Sequence, residues 1–109
     1  MSRKDRRTRE RYDLRLPVRV AWEDALGNAY KETTTTQDLS VSGCFIVCHH
    51  YIHKGCKIAA EIDLSIAEAG ILKKRVSAQG KVVRNVPMAH YPGGAFGHGV
   101  RFDKFRFCK

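Results

Sequence analysis

The sequence predicts an all-β domain of six short strands. Three observations point to it. Apolar residues alternate with polar ones at a period of two in several separate stretches. Turn-forming residues punctuate those stretches at short, regular spacing. No stretch has a convincing amphipathic helical period. Six such strands close into a barrel or stack as a sandwich.

The elements follow in order. Leu14, Leu16, Val18, Val20 and Trp22 fall on one face of a first strand, with Asp13, Arg15, Arg19 and Ala21 between them. Pro17 has no N–H to donate, which places it at a strand start or on an edge. Asp24-Ala25-Leu26-Gly27-Asn28 reads as a turn. Residues 30–37 include Thr33, Thr34, Thr35 and Thr36, a β-branched run that favours a strand and disfavours a helix. Residues 43–48 are a short apolar strand, and 49–55 a polar loop. Cys56, Ile58, Ala60, Ile62 and Leu64 alternate again, with Lys57 and Glu61 facing the other way. Residues 65–72 fit either a short helical turn or a wide hairpin loop. Residues 75–86 form the next strand, with Val76, Ala78, Gly80 and Val82 in one phase. Tyr91-Pro92-Gly93-Gly94 is a turn, and 96–102 the last strand. Trp22, Phe96, Phe102 and Phe105 are expected in the core, and Phe107 at the surface.

A chain of 109 residues is one domain, large enough to bury a core without staples. Its charge is uneven. The net charge is +9, and residues 1–19 carry eight cations against three carboxylates, so more than half of the excess lies in that segment. Seven of those cations are arginine, the side chain whose planar fork grips phosphate and stacks on bases. Residues 1–12 have almost no apolar side chains. They are expected to form a flexible basic arm, with the barrel over 13–109. No apolar run approaches the roughly 20 residues of a membrane span. The basic N-terminus has no apolar stretch behind it, so a cytoplasmic protein is expected. Cys44, Cys48, Cys56 and Cys108 are then read as reduced thiols.

Two motifs carry the functional expectation. Arg7 and Arg11 form an Arg-x-x-x-Arg pair ahead of Pro17. Asp38, Ser40 and Gly43 form Asp-x-Ser-x-x-Gly, leading into a strand. Together and in this order they resemble the signature of the PilZ family. Leu16-Pro17-Val18, Val82-Val83-Arg84 and Gly99-Val100-Arg101-Phe102 add to the likeness, which covers about residues 6–102. The resemblance implies a six-stranded antiparallel β-barrel with its basic arm folding over cyclic di-guanosine monophosphate (c-di-GMP). It implies a ligand-switched signalling module acting on an effector protein, not an enzyme. Binding roles carry over to Arg7, Arg11, Asp38, Ser40 and Gly43. Arg6, just before the pair, is where the family sets whether one ligand or an intercalated pair binds.

The chemistry of these residues agrees. Arg7 and Arg11 offer paired donors to phosphate oxygens or to guanine O6 and N7. Asp38 can accept from the N–H groups on guanine's Watson–Crick edge. Ser40 offers a hydroxyl, and Gly43 a close backbone approach or a positive φ. Each motif alone has a plainer reading, as an ordinary turn or a solvated tail.

Other readings fit less well. Cys44, Cys48, His49, His50, His53 and Cys56 lack the paired spacing of a zinc knuckle, so no metal is expected. No phosphate loop or nucleophile motif is present, so no cofactor or catalysis is expected. A nucleic-acid-binding barrel would use the same arm, but it gives Asp38 no purpose. A PilZ-fold interaction module without ligand is the other alternative.

Overall fold

The computed structural model describes residues 15–64, 75–91 and 93–108. They form six strands: β1 (Pro17–Glu23), β2 (Ala29–Ser40), β3 (Gly43–Cys48), β4 (Lys57–Asp63), β5 (Arg75–Pro87) and β6 (Phe96–Cys108). Every pairing is antiparallel, and the strands close in the order β1-β2-β3-β6-β5-β4. The expected barrel is therefore the one observed. The basic arm, including Arg6, Arg7 and Arg11, lies outside the described residues, as do Leu14 and the ambiguous 65–72 stretch.

The alternation in the sequence becomes the inside and outside of the barrel. Val18, Val20 and Trp22 of β1 meet Ile58, Ala60 and Ile62 of β4 in the core. Val76, Ala78 and Val82 continue that core across β5. Pro17 begins β1, where its missing N–H costs no ladder bond. The residue before it is gripped from both sides. Leu16 N–H donates to Thr36 Oγ1 at 3.0 Å, and Thr36 N–H donates to Leu16 O at 2.9 Å. Thr36 is fully buried, so its hydroxyl meets a backbone donor that would otherwise be orphaned.

Two expectations need correction. β6 does not stop at Phe102 but runs on to Cys108. The register passes from Gln79↔Lys104 to Gly80↔Phe102, leaving Asp103 as an extra residue. The bulge places Phe102 and Phe105 on the core side at a spacing of three, which hides the strand from a period-two reading. Phe96 is not in the core. It pairs with Cys48 and Pro87 at one end of the barrel, is 36% exposed, and meets Tyr51 edge to face at 5.3 Å.

The loop after β3 plugs that end. Ile52 is buried, a contribution on the order of 1.5–3 kcal/mol. Its N–H donates to His98 Nε2 at 3.0 Å, and its carbonyl accepts from Asn85 Nδ2 at 3.0 Å. Tyr51 donates its hydroxyl to the Asn85 side-chain oxygen at 3.2 Å. Since Nε2 accepts, the proton of neutral His98 sits on Nδ1, which has no partner among the described residues. Burial holds His98 below its ordinary pKa of 6.5, with Glu32 pulling weakly the other way.

A pH effect follows. The unfolded chain takes up a proton at His98 near pH 6.5, whereas the folded chain resists until lower pH. Stability is therefore full above pH 6.5 and falls as pH drops from there toward the folded pKa. Urea midpoints at pH 7.5 and 5.5 should show this loss, and His98→Gln, which keeps an acceptor but cannot titrate, should reduce it. Glu32 acts in a separate, more acidic window. Burial alone would raise its pKa, but hydrogen bonds from His49 N–H and from His50 lower it below 4.5.

Candidate functional site

Two single-residue bulges aim the site outward. In β2 the pairing passes from Thr36↔Ile46 to Asp38↔Phe45, leaving Gln37 as the extra residue. Without it, Asp38 would share the inward phase of Thr36. With it, Leu39 turns into the core and Asp38 reaches the outer face, half-buried. In β5 the pairing passes from Val82↔Val100 to Arg84↔Gly99, leaving Val83 extra. Val82 stays in the core and Arg84 comes out to solvent.

The register then assembles two rows on the outer surface. Asp38, Phe45, Gly99 and Arg84 lie side by side across β2, β3, β6 and β5. Ser40, Gly43, Arg101 and Lys81 form the neighbouring row. Most of these residues, with Ser42 and Val83, line a concave pocket of about 380 Å³. Two guanidinium groups and one carboxylate thus share an open pocket. Among the described residues neither Arg84 nor Arg101 is held in an ion pair.

Ser40 builds the turn at the pocket's edge. It is 9% exposed, and its hydroxyl oxygen accepts Ser42 N–H at 3.2 Å and lies 3.0 Å from the Ser42 hydroxyl. The plain turn chemistry of the motif is therefore present within the candidate site. Gly43 does not use the left-handed region, which is occupied by Gly27, Gly55, Gly93 and Gly94. Its requirement is close approach, since a Cβ there would strike the Val100 carbonyl oxygen. Gly97 and Gly99 leave room for side chains from neighbouring strands. A Cβ at Gly97 would run into the Phe45 ring, and one at Gly99 would sit 3.4 Å from Arg84 Nε.

Cys44 and Cys48 belong to the core. Burial, with a smaller contribution from Asp38, pushes the Cys44 thiol up to about 12. Burial, with Glu32, pushes Cys48 to about 12 as well. Both stay protonated and face inward, while His49 and His50 are outside against Glu32. Among the described residues no group of three His, Cys, Asp or Glu is placed to hold a metal.

Of the six site residues expected from sequence, Asp38, Ser40 and Gly43 come together at the pocket. Arg6, Arg7 and Arg11 lie outside the described residues. Arg84, Arg101 and Phe45 received no role from sequence. A signal for Arg84 was present, because the apolar doublet Val82-Val83 before a charged residue breaks the alternation and marks a bulge.

The sequence pattern of the PilZ domain family matches residues 5–106. The chain belongs to that family. Its fold resembles that of the Bacillus subtilis inhibitor of motility (MotI/DgrA), with a TM-score of 0.70 and 15% identity over 95% of this chain and 44% of the other. It resembles K. pneumonia MrkH in complex with c-di-GMP, with a TM-score of 0.61 and 16% identity over 95% of this chain and 46% of that one. It also resembles the PilZ domain of YcgR from Escherichia coli with c-di-GMP, with a TM-score of 0.58 and 14% identity over 91% and 79% of the two chains. The chain spans less than half of the length of the first two. No curated protein sequence matches it.

Proposed function

We propose that this chain is a c-di-GMP receptor, and that the ligand binds on the outer face of the barrel between the basic arm and the pocket beside the Asp38 turn. One observation carries the proposal. Separate bulges in β2 and β5 bring a carboxylate and an arginine to the same outer pocket, next to the Asp-x-Ser-x-x-Gly turn. A phosphate site alone has no use for a carboxylate, which repels the anion. A guanine site does, because the base's N1 and N2 hydrogens need an acceptor. Arg101 and Arg84 supply charge for the phosphates and bases.

The arm completes the site. It joins the barrel at Leu16, which Thr36 holds two residues from Asp38. Four residues separate Arg11 from Leu16, at most about 18 Å of chain. That tether keeps Arg11 near the pocket. Ligand binding orders the arm, at a cost in conformational entropy that charge-assisted hydrogen bonds must exceed. Ser40 and Gly43 shape the turn against which the ligand rests, and Arg6 favours a second ligand. The new surface of arm and ligand then presents itself to an effector protein. In this reading the chain is a cytoplasmic adaptor without catalytic activity.

Asp38→Ala tests the guanine contact. Affinity for c-di-GMP should fall roughly 10- to 100-fold, and discrimination against cyclic di-AMP should shrink in calorimetric titrations. Unchanged selectivity would remove Asp38 from the base-reading role.

A further inference from the structure

Arg84 is exposed, and its side chain lies along the sheet over Gly99. A Cβ at Gly99 would be 3.4 Å from its Nε and 3.7 Å from its Nη2, so the guanidinium rests over a position where no side chain intervenes. Its Cζ lies 5.7 Å from the centroid of the Phe45 ring, within cation–π range. Phe45 in turn is seated over Gly97, where any Cβ would displace the ring. Two glycines of β6 thus carry a phenyl ring and a guanidinium side by side on the outer wall. No carboxylate among the described residues pairs with that guanidinium. Arg84 also lines the pocket together with Asp38.

We propose that Arg84, carried by Phe45, is a base-stacking platform that receives one purine face of the nucleotide, while Asp38 across the sheet reads a guanine edge. This inference rests on the c-di-GMP reading and refines it. A planar, delocalised cation with one side against the protein leaves its other side to a flat aromatic partner, which is the geometry of arginine–base stacking. A lysine can still meet a phosphate as a point charge, whereas stacking needs the flat face of a guanidinium. Phe45 acts here as a positioning residue, limiting the directions in which the Arg84 side chain can swing.

The substitution that separates the two roles is Arg84→Lys. It keeps the charge and removes the plane. If Arg84 stacks, Arg84→Lys should bind c-di-GMP roughly 5- to 30-fold more weakly than wild type, close to the loss in Arg84→Ala. Arg101→Lys should retain more affinity than Arg101→Ala. Phe45→Leu should weaken binding in the wild-type chain and have no further effect once Arg84 is lysine. Arg84 is exposed, so these variants should fold, and circular dichroism checks that they do. Wild-type affinity in Arg84→Lys, with c-di-GMP still bound by the wild type, would overturn the stacking role alone. Additive losses from Phe45→Leu and Arg84→Lys would overturn the positioning role of Phe45. Failure of the wild-type chain to bind c-di-GMP would overturn both this inference and the function beneath it.

Discussion

Arg11→Ala is expected to bind c-di-GMP on the order of 30- to 1000-fold more weakly than wild type, a loss of about 2 to 4 kcal/mol. Arg7→Ala should fall in the same range. The size comes from what each arginine must do. The barrel presents Asp38, Arg84 and Arg101 on an open face, and an open face bonds a dianion only against competition from water. In the proposed receptor the arm is the opposite wall. Fixing backbone against a ligand costs roughly 1–2 kcal/mol per residue, so the ligand must return several charge-assisted bonds of about 1.5–3 kcal/mol each. Removing one guanidinium takes away its own bonds and part of the reason for the arm to close. Calorimetry at one fixed ionic strength measures the loss, since salt alone weakens exposed charge contacts. Near-normal affinity in both variants would place the ligand elsewhere.

Gly43→Ala should damage stability and binding together. Its Cβ would strike the Val100 carbonyl oxygen on the neighbouring strand. That oxygen is backbone, so relief requires β3 and β6 to separate where Gly43 pairs with Arg101. Overpacking of this kind costs about 1–3 kcal/mol, and the rigid neighbour puts Gly43 toward the upper end. The same shift would displace Arg101 and the Ser40–Ser42 turn, both part of the pocket. Urea denaturation should therefore show a lower midpoint, and the folded fraction should bind weakly. Gly27→Ala is the contrast. Gly27 has a φ of 86° but nothing within 4 Å of its Cβ position, so the penalty there is backbone strain in the β1–β2 turn, at the opposite end of β2 from Ser40. A Gly43→Ala chain with normal stability would refute the close-approach role.

The strand order along the chain was legible because burial follows the pleat. Val18, Val20 and Trp22, or Val76, Ala78 and Val82, alternate without interruption and lie in the core as their period implies. The Asp24-to-Asn28 turn was legible from composition, and Asp24 does accept from Leu26 and Asn28 N–H. What the period could not show were the bulges. Gln37, Val83 and Asp103 each add one residue to one strand of a pair. Each reverses the inside and outside of everything that follows. Their effect was to hide the end of β6 and to conceal that Arg84 shares a face with Asp38. The site was therefore readable where it is written as a motif, at Asp38, Ser40 and Gly43. It went unassigned where it depends on register, at Phe45, Arg84 and Arg101, although the Val82-Val83 doublet before Arg84 hinted at a bulge. The role of Gly43 had the same limit, since a sequence does not distinguish a glycine needed for positive φ from one needed for strand approach.

The most direct test is calorimetric titration of the wild-type chain with c-di-GMP, alongside cyclic di-AMP and linear pGpG. The expected result is saturable binding specific for the cyclic guanine dinucleotide, and two ligands per chain would fit the role given to Arg6. The contradicting result is no binding by calorimetry or a second method, together with affinity for single-stranded oligonucleotides that grows with length and falls steeply with salt.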